Sequence, residues 1–354
     1  MMTFNEKRKN KSIIRIGDIT IGGKNDIAIQ SMTNTDTRDL KSTIEQIAAL
    51  KAEGCDIVRI SVFDKECVNN IPLLKKAVKI PLVADIHYDF RLAVESIKNG
   101  IDKIRINPGN ITDENNIKTI VKTAKEYNVP IRIGVNAGSL PEHLYSIYKG
   151  PTTEAVLHAV KEQVDMIEKW DYNNIVIAAK SSDPMETVEI YRLLNKSFNY
   201  PLHVGVTEAG TLLRGAIKST IALSILLYEG ISDTIRISLS DNPIHEVSVA
   251  KDILTFLGIK KYGVNIISCP TCGRTKIDII KLANVIEEKT RHINKNINVA
   301  VMGCAVNGIN EAKYADIGIA GGDGRAVLFK KGQKIKVISE DRIIEELLEE
   351  IDKC

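Results

Sequence analysis

Eight short runs rich in β-branched residues recur along the chain, each followed by a stretch of helical character. They cover residues 27–32, 57–62, 80–87, 102–109, 130–138, 174–182, 201–210 and 234–243. Strands that alternate with helices at this spacing favour parallel βα units, and a closed barrel requires eight of them. We therefore predict an α/β fold that begins with a (βα)8 TIM barrel. The earlier segment "SIIRIGDITIGGKND" is typical of a hairpin turning at Gly17 and Asp18, and we expect it to plug the lower end of the barrel.

The pattern changes near residue 260. A strand "VNIIS", a helix near 275–290, a strand "INVAVMG", a short helix from about 309, a hairpin about Lys331 and Gly332 and a terminal amphipathic helix follow one another. The 354 residues also exceed the roughly 100 to 200 residues of a usual single domain. We predict a barrel domain over 1–260 and a smaller α+β domain over 261–354.

Composition limits the cellular setting and the partners. No run approaches the roughly 20 apolar residues of a membrane span. The basic N-terminus is not followed by the apolar stretch of a signal peptide. The net charge of +3 is too small to indicate nucleic-acid binding. We expect a cytoplasmic protein with neither a membrane nor a nucleic-acid partner.

Four of the eight predicted strands carry an arginine between β-branched neighbours, and a fifth carries a lysine late in the run. These residues are Arg59, Arg105, Arg132, Arg236 and Lys180. Near the C-terminal end of a barrel strand, the inward face opens into the mouth where active sites of this fold lie. Several cations are therefore expected to converge on one pocket. In the alternative interpretation, each arginine pairs with a helix carboxylate outside the barrel.

The predicted strand ends offer too few acids to balance these cations. Asp85 and Glu208 are the carboxylates at equivalent positions. The surplus of positive charge predicts an anionic ligand, and the planar fork of arginine suits phosphate or diphosphate. The strand ends also carry Asn107, Asn136, Ser240 and His87. His87 lies on the same strand face as Asp85, which favours a proton-handling role.

Three cysteines in the second domain offer metal or redox chemistry. Cys269 and Cys272 form a C-x-x-C loop after a predicted strand, and Cys304 stands 32 residues further on. A redox dithiol, half of a zinc site and half of an iron–sulfur site are all compatible with the pair. If a metal is bound, the candidates for a fourth ligand are Cys354, His292 and Glu311. Cys55 and Cys67 have no close cysteine neighbour.

The motifs closely resemble those of the 4-hydroxy-3-methylbut-2-enyl diphosphate synthase family of the methylerythritol phosphate isoprenoid pathway, in its shorter bacterial two-domain form. The resemblance runs through "IQSMTNTDTRD", "VADIHYD", "KIRINPGN", "PIRIGVNAGSL", "GVTEAG", "CPTCGR" and "VMGCAVNG". It implies a βα barrel followed by a sulfite/nitrite reductase-like domain that holds one 4Fe-4S cluster per subunit. The implied ligands are Cys269, Cys272, Cys304 and Glu311. One departure is local, because the family usually has Pro-Gly where Ile309 and Asn310 precede Glu311.

The resemblance also implies an activity. The enzyme would reductively open 2-C-methyl-D-erythritol 2,4-cyclodiphosphate with two electrons, with loss of a hydroxyl as water. Glu208 would donate the proton, assisted by Asp85 and His87. The substrate would be bound by Arg59, Arg105, Asn107, Arg132, Asn136, Lys180, Arg236, Ser240 and Asn307. The implied partners are flavodoxin or ferredoxin as electron donor and a second subunit in a homodimer.

Two other hypotheses stay open on the sequence. A non-redox barrel enzyme acting on a phosphorylated metabolite, with a structural zinc domain, would use Lys180 as a Schiff-base lysine. A binding protein whose metal module docks a partner would leave the acids at the strand ends without a task.

Overall fold

The computed structural model describes residues 4–106, 111, 113–293 and 295–354. The chain divides into two compact units, Met1–Ile259 and Lys260–Cys354. No helix within the described ranges has the length and apolar character needed to span a bilayer.

Eight parallel strands form the centre of the first unit, which confirms the predicted TIM barrel. Their spatial order is β8-β7-β6-β5-β4-β3-β10-β9, and a bridge between Ile177 and Leu202 joins the two ends of the sheet. The strands are β3 (Ala28–Met32), β4 (Ile57–Ser61), β5 (Leu82–Ile86), β6 (Lys103–Ile106), β7 (Ile131–Asn136), β8 (Ile175–Lys180), β9 (His203–Val204) and β10 (Thr234–Ile235).

Helices follow the strands in sequence, and aspartates begin many of them. The side chains of Asp39, Asp64, Asp89, Asp113 and Asp183 each accept a hydrogen bond from a backbone N–H in the first helical turn, which satisfies a donor that the helix leaves free. The helices are α1 (Phe4–Lys7), α2 (Leu40–Glu53), α3 (Lys65–Ala77), α4 (Phe90–Lys98), α5 (Glu114–Tyr127), α6 (Glu142–Tyr148), α7 (Thr153–Glu168), α8 (Pro184–Ser197), α9 (Leu212–Tyr228) and α10 (Pro243–Phe256).

The N-terminal hairpin closes the lower end of the barrel, as the sequence predicted. Strands β1 (Ile14–Ile16) and β2 (Ile19–Ile21) pair about a turn in which Gly17 has a φ of 59°. Ile14, Ile16 and Ile21 pack against the apolar residues at the lower ends of the barrel strands, namely Ala28, Ile57, Val83 and Val176. Because apolar side chains of the described residues fill this end, we expect a ligand to enter from the other end.

The second unit is a five-stranded mixed sheet in the order β11-β12-β13-β14-β15. The first three strands are parallel and the last two antiparallel. Its elements are β11 (Val264–Ser268), α11 (Ile279–Thr290), β12 (Ile297–Met302), α12 (Ala305–Ala312), β13 (Ile317–Gly322), β14 (Arg325–Lys330), β15 (Gln333–Ser339) and α13 (Ile343–Asp352). The predicted hairpin at Lys331 and Gly332 is present, with a positive φ at both residues.

Period-two alternation along β12 divides the core of the second unit between the two faces of the sheet. Val299 and Val301 belong to the cluster that includes residues of α11 and α13, whereas Ala300 and Met302 belong to the cluster that includes Ala312 of α12. The sequence placed the start of α12 near 309, which is wrong by about one turn. The helix begins at Ala305, directly after Cys304.

Candidate active site

A cavity of about 260 Å³ opens among the C-terminal ends of the barrel strands. Its charged lining residues come from the five neighbouring strands β4 to β8 and from the end of β10, because each strand turns alternate side chains inward. The side chains that line it include Arg59, Asp85, His87, Arg105, Arg132, Asn136, Lys180, Thr207, Arg236 and Ser238. Within the described ranges, the cavity thus gathers all five of the predicted cations and a single carboxylate.

Asp85 organises one wall of the cavity. Its Oδ1 accepts a hydrogen bond from Arg105 Nη1 at 3.1 Å, and its Oδ2 lies 3.2 Å from His87 Nε2. Burial by itself would raise the pKa of the Asp85 carboxyl. The charge of Arg59, the hydrogen bond from His87 and the charge of Arg105 outweigh that effect and hold the pKa well below its usual range. Asp85 is therefore an ionised anchor for its basic neighbours at neutral pH.

Arg236 has a carboxylate partner that lies outside the barrel. Its Nη2 lies 3.4 Å from Oε1 of Glu246, a buried residue of α10. Glu246 also accepts hydrogen bonds from Ser31 Oγ at 2.8 Å and Leu239 N at 3.1 Å. The alternative of pairing with a helix carboxylate therefore applies to Arg236, although this residue lines the cavity as well.

The remaining cations are poorly compensated. Arg132 is 2% exposed, and within the described ranges its Nε and Nη1 atoms have no hydrogen-bond partner. Burial, together with the positive charges of Arg59 and Arg105, holds the pKa of Arg132 well below its usual value. Burial and the charges of Arg236 and Arg132 likewise lower the pKa of Lys180. A polyanion in the cavity would relieve this repulsion and satisfy the unpaired donors.

Glu208 lines an adjoining cavity of about 350 Å³, together with Asn136, Lys180 and Thr207. Its side chain is exposed and its φ is 50°, a left-handed conformation that residues other than glycine rarely adopt. Strained backbone of this kind concentrates at functional sites. Because Asn136, Lys180 and Thr207 line both cavities, Glu208 lies beside the cationic pocket.

Three further residues, Ser240, Asn107 and Asn307, were also predicted to bind the ligand. Ser240 is exposed and its N–H donates to Gly210 O, while Ser238 lines the cavity. Asn107 and the side chain of Asn307 lie outside the described part of the chain.

The sequence analysis missed Lys103 and His203, which are fully buried on the inward faces of β6 and β9. Lys103 Nζ donates to Gln30 Oε1 at 3.2 Å, and His203 Nδ1 lies 2.8 Å from Thr234 Oγ1. Alternation could have found Lys103, because it precedes Arg105 by two positions in "DKIRIN".

Three of the four cysteine residues of the second unit lie on two neighbouring loops. Cys269 and Cys272 follow β11, and Cys304 follows β12. Ser268 pairs with Val301 in this parallel pair, so both loops leave the same edge of the sheet. The loops also contact each other, because Gly303 N donates to Cys269 Sγ at 3.3 Å and Lys276 N donates to Gly303 O at 2.8 Å. Within the described ranges, the structure does not bring three His, Cys, Asp or Glu side chains to metal-binding distance.

The candidates for a fourth ligand are distributed over the sheet. His292 precedes β12, so it lies toward the opposite edge from Cys304. Cys354 follows Asp352, whose carbonyl accepts a hydrogen bond from Lys295 Nζ at 3.1 Å, again before β12. Glu311 is exposed on α12, seven residues after Cys304 and hence about 10 Å along the helix axis on nearly the same helix face. Of these three candidates, Glu311 is the one that lies on the helix beginning directly after Cys304.

Comparisons with known proteins cover nearly the whole chain. Residues 11–251 match the family model of the GcpE TIM-barrel domain, and residues 265–353 match that of the GcpE protein C-terminal domain. A protein of Caldanaerobacter subterraneus subsp. tengcongensis, named 4-hydroxy-3-methylbut-2-en-1-yl diphosphate synthase (flavodoxin), is 56% identical over 346 residues, which are 98% of each chain. A protein of Ruminiclostridium cellulolyticum with the same name is 52% identical over 347 residues, again 98% of each chain.

A solved structure is also similar in fold. The Plasmodium falciparum HPPK-DHPS structure has a TM-score of 0.52 and 16% identity, and the match covers 72% of this chain and 52% of that one. At this identity the likeness concerns the fold alone.

Proposed function

The chain belongs to the GcpE family, and we propose that it forms 4-hydroxy-3-methylbut-2-en-1-yl diphosphate, as the names of its relatives state. It is an oxidoreductase of isoprenoid biosynthesis. The structural observation that supports this proposal is the cavity, which is lined by five cations and one carboxylate within the described ranges. A diphosphate supplies the negative charge that this cavity lacks. The alternative of a non-redox barrel enzyme with a structural zinc domain is not favoured.

The substrate proposed for the cavity is 2-C-methyl-D-erythritol 2,4-cyclodiphosphate. Arg59, Arg105, Arg132 and Lys180 bind the diphosphate, and Arg236 completes the rim. Asn136 lines both cavities and is suited to contact the carbon skeleton between them. Asn107, Ser240 and Asn307 are further proposed contacts, and Ser238 joins them because it lines the cavity. Each guanidinium group can bind two oxygen atoms of a diphosphate at once.

Glu208 is the proposed proton donor to the departing hydroxyl. It is a carboxyl group beside the cationic pocket, and its left-handed backbone fixes the direction in which the side chain leaves the strand end. Asp85 is less suited to this role, because its carboxylate accepts a hydrogen bond from Arg105 and lies within hydrogen-bonding distance of His87. We assign Asp85 and His87 to orienting Arg105 and the substrate instead.

The three loop cysteines and Glu311 are proposed to hold a 4Fe-4S cluster. Three thiols at one edge of the sheet suit an iron–sulfur cluster, because thiolates are the ligands that such clusters take. Glu311 lies on the helix that begins directly after Cys304, and helical side chains tilt toward the N-terminus of their helix. When bound, such a cluster would pass on, one at a time, the two electrons that the reductive ring opening consumes. Flavodoxin or ferredoxin is the proposed source of these electrons, and the names of the relatives specify flavodoxin.

A homodimer is proposed on the basis of an apolar face on α9. Leu213, Ile217, Ile221 and Tyr228 are 72%, 52%, 43% and 53% exposed, and their spacing places them along one side of the helix. Contiguous exposed apolar surface of this kind marks interaction sites. A Leu213→Asp/Ile217→Lys variant should sediment as a monomer. Leu73→Asp, which changes an exposed leucine of α3, should sediment as the wild type does.

The decisive test of the proposed function begins with anaerobic purification and measurement of iron, zinc and visible absorption. We expect about four irons per chain, and turnover of the cyclic diphosphate when a strong reductant is supplied. A colourless protein that contains one zinc and no iron would refute the proposal. Cys269→Ser and Cys304→Ser should each lose iron, whereas Cys354→Ser, at the other end of the sheet, should retain it.

Glu208→Gln tests the proton donor. We expect kcat to fall by about 10²- to 10⁴-fold, the usual contribution of a general acid, with unchanged affinity for the substrate. Glu186→Gln is the matched control, because Glu186 lines the same cavity but is engaged by Ser181 Oγ. Equal activity of Glu208→Gln and wild type would contradict the assignment.

A further inference from the structure

Two cations of the cavity lie directly over glycines of the next strand. A Cβ built on Gly134 of β7 would lie 2.6 Å from Arg105 Nε, 3.3 Å from its Cζ and 3.2 Å from its Nη2. A Cβ built on Gly205 would lie 2.9 Å from Lys180 Nζ. Real Cβ atoms essentially never come within 3.0 Å of a non-bonded heavy atom, so neither cation could keep its position beside alanine.

The two glycines differ in what else they contact. The Cβ at Gly205 would also lie 2.2 Å from the carbonyl oxygen of Arg236, so the barrel backbone itself requires glycine there. At Gly134 the three nearest atoms all belong to the Arg105 guanidinium, and the residue does not have a positive φ. Glycine in a strand interior lowers stability and packs nothing. Its presence at 134 is therefore explained by the space it leaves for Arg105.

Arg105 is fixed on its other side as well. Its Nη1 donates to Asp85 Oδ1 at 3.1 Å, the residue is 6% exposed, and within the described ranges its Nε has no hydrogen-bond partner. The guanidinium is held between a carboxylate of β5 and the backbone of β7. Any side chain at 134 would force it away from β7 and into the cavity volume.

We propose that Gly134 is a positioning residue of the diphosphate site, because the missing side chain lets the Arg105 guanidinium lie against β7 at the distance that the ligand requires. This inference rests on the proposed function. Gly134→Ala should weaken binding of the cyclic diphosphate by about 10- to 100-fold, the effect of misplacing one charge-assisted contact. Calorimetric titration measures this loss as a rise in the Kd of the cyclic diphosphate.

A double-mutant cycle tests this role. Gly134→Ala, Arg105→Ala and the double variant are compared by calorimetric titration with the cyclic diphosphate and by urea unfolding without ligand. We expect Gly134→Ala to lower both affinity and stability in the wild-type background. In the Arg105→Ala background it should leave affinity unchanged and should not lower stability, because alanine is more favourable than glycine in a strand interior. The unfolding cycle keeps the test valid if Arg105→Ala binds too weakly to titrate. If Gly134→Ala alone does not fold, folding of the double variant supports the contact, and failure of the double variant overturns it.

The proposed function and the positioning role fail in different ways. If the wild-type protein does not bind the cyclic diphosphate, the proposed function is wrong. If the wild type binds it and Gly134→Ala binds equally well, the positioning role is wrong while the function stands. Equal losses in both backgrounds would also overturn the role, because the added methyl group would then act through a neighbour other than Arg105.

Discussion

Replacing Arg132 with methionine should stabilise the ligand-free barrel while it removes diphosphate binding. The Arg132 guanidinium is buried beside Arg59 and Arg105, and within the described ranges two of its nitrogen atoms lack a partner. Methionine has a similar length and no polar group to satisfy. The free protein therefore loses an unfavourable charge, and the complex loses a ligand contact.

The size of the stabilisation follows from the unpaired groups. A buried polar group without a partner costs about 1 to 3 kcal/mol, and a charged group costs more. Replacing buried charged groups with apolar residues of similar volume has raised stability by about 1 to 4 kcal/mol. For Arg132, whose attraction to Asp85 opposes the charges of Arg59 and Arg105, we expect a gain of about 2 kcal/mol. The loss in diphosphate affinity should be at least about 2 kcal/mol, which corresponds to roughly thirtyfold.

Trp170 makes the measurement specific to the barrel. It is the single tryptophan of the chain and lies in the first unit, so its fluorescence during urea unfolding follows that unit. Arg236→Met is the matched control, because it leaves the buried carboxylate of Glu246 without its cation. We expect this control to be destabilised by about 1 to 3 kcal/mol. If ligand-free Arg132→Met is destabilised as much as Arg236→Met, the account of the cavity as an uncompensated cationic site is wrong.

Three further predictions concern charge and helix geometry. Asp85→Asn should destabilise the barrel by about 3 to 5 kcal/mol near pH 7, because it leaves buried cations uncompensated. Folding lowers the Asp85 pKa, so this stabilisation is present above its unfolded pKa of about 3.9 and is lost as pH falls through the lower folded value. The free energies of unfolding of wild type and variant, measured in urea, should begin to converge only below about pH 4. Burial and the charges of Arg132 and Arg59 lower the pKa of Lys103, so the unfolded chain binds more protons there and wild-type stability should gain a contribution between pH 7 and pH 9. That contribution should be absent from Lys103→Met, and identical pH profiles would contradict the lowered pKa of Lys103. Finally, Ile309→Pro/Asn310→Gly should cost the second unit about 3 kcal/mol, because proline and glycine are poor in a helix interior and Ile309 packs against the apolar cluster beside α12. Far-UV circular dichroism should record the loss while Trp170 fluorescence stays unchanged, and an unchanged far-UV transition would mean that α12 does not need these residues.

Features with a simple period could be predicted from the sequence. The eight strands and the inward direction of Arg59, Arg105 and Arg132 follow from alternation, which has a period of two throughout a barrel strand. The same rule could have found Ser238, because it stands two positions after Arg236 and also lines the cavity.

Features that depend on contacts between distant segments could not be predicted. The pairing of Arg236 with Glu246 depends on how α10 packs on the barrel, and the space over Gly134 depends on the side chain of a neighbouring strand. The left-handed backbone of Glu208 could not be predicted either, because glycine, asparagine and aspartate are the residues that commonly adopt this conformation. The start of α12 was missed because Cys304 is not a usual capping residue.

The closed lower end of the barrel has a consequence for synthesis on the ribosome. Arg8 Nη2 bonds Asp233 Oδ1 at 2.6 Å across 225 positions of sequence, and Lys11 Nζ donates to Phe198 O at 2.6 Å. Arg8 and Lys11 therefore wait until almost the whole barrel has been translated before their partners exist. At about 5 to 20 residues per second, that interval lasts roughly 10 to 45 seconds. During this time the isoleucines of the hairpin lack the barrel residues that they pack against in the folded protein, so we expect a nascent chain of this protein to bind chaperones near the tunnel exit.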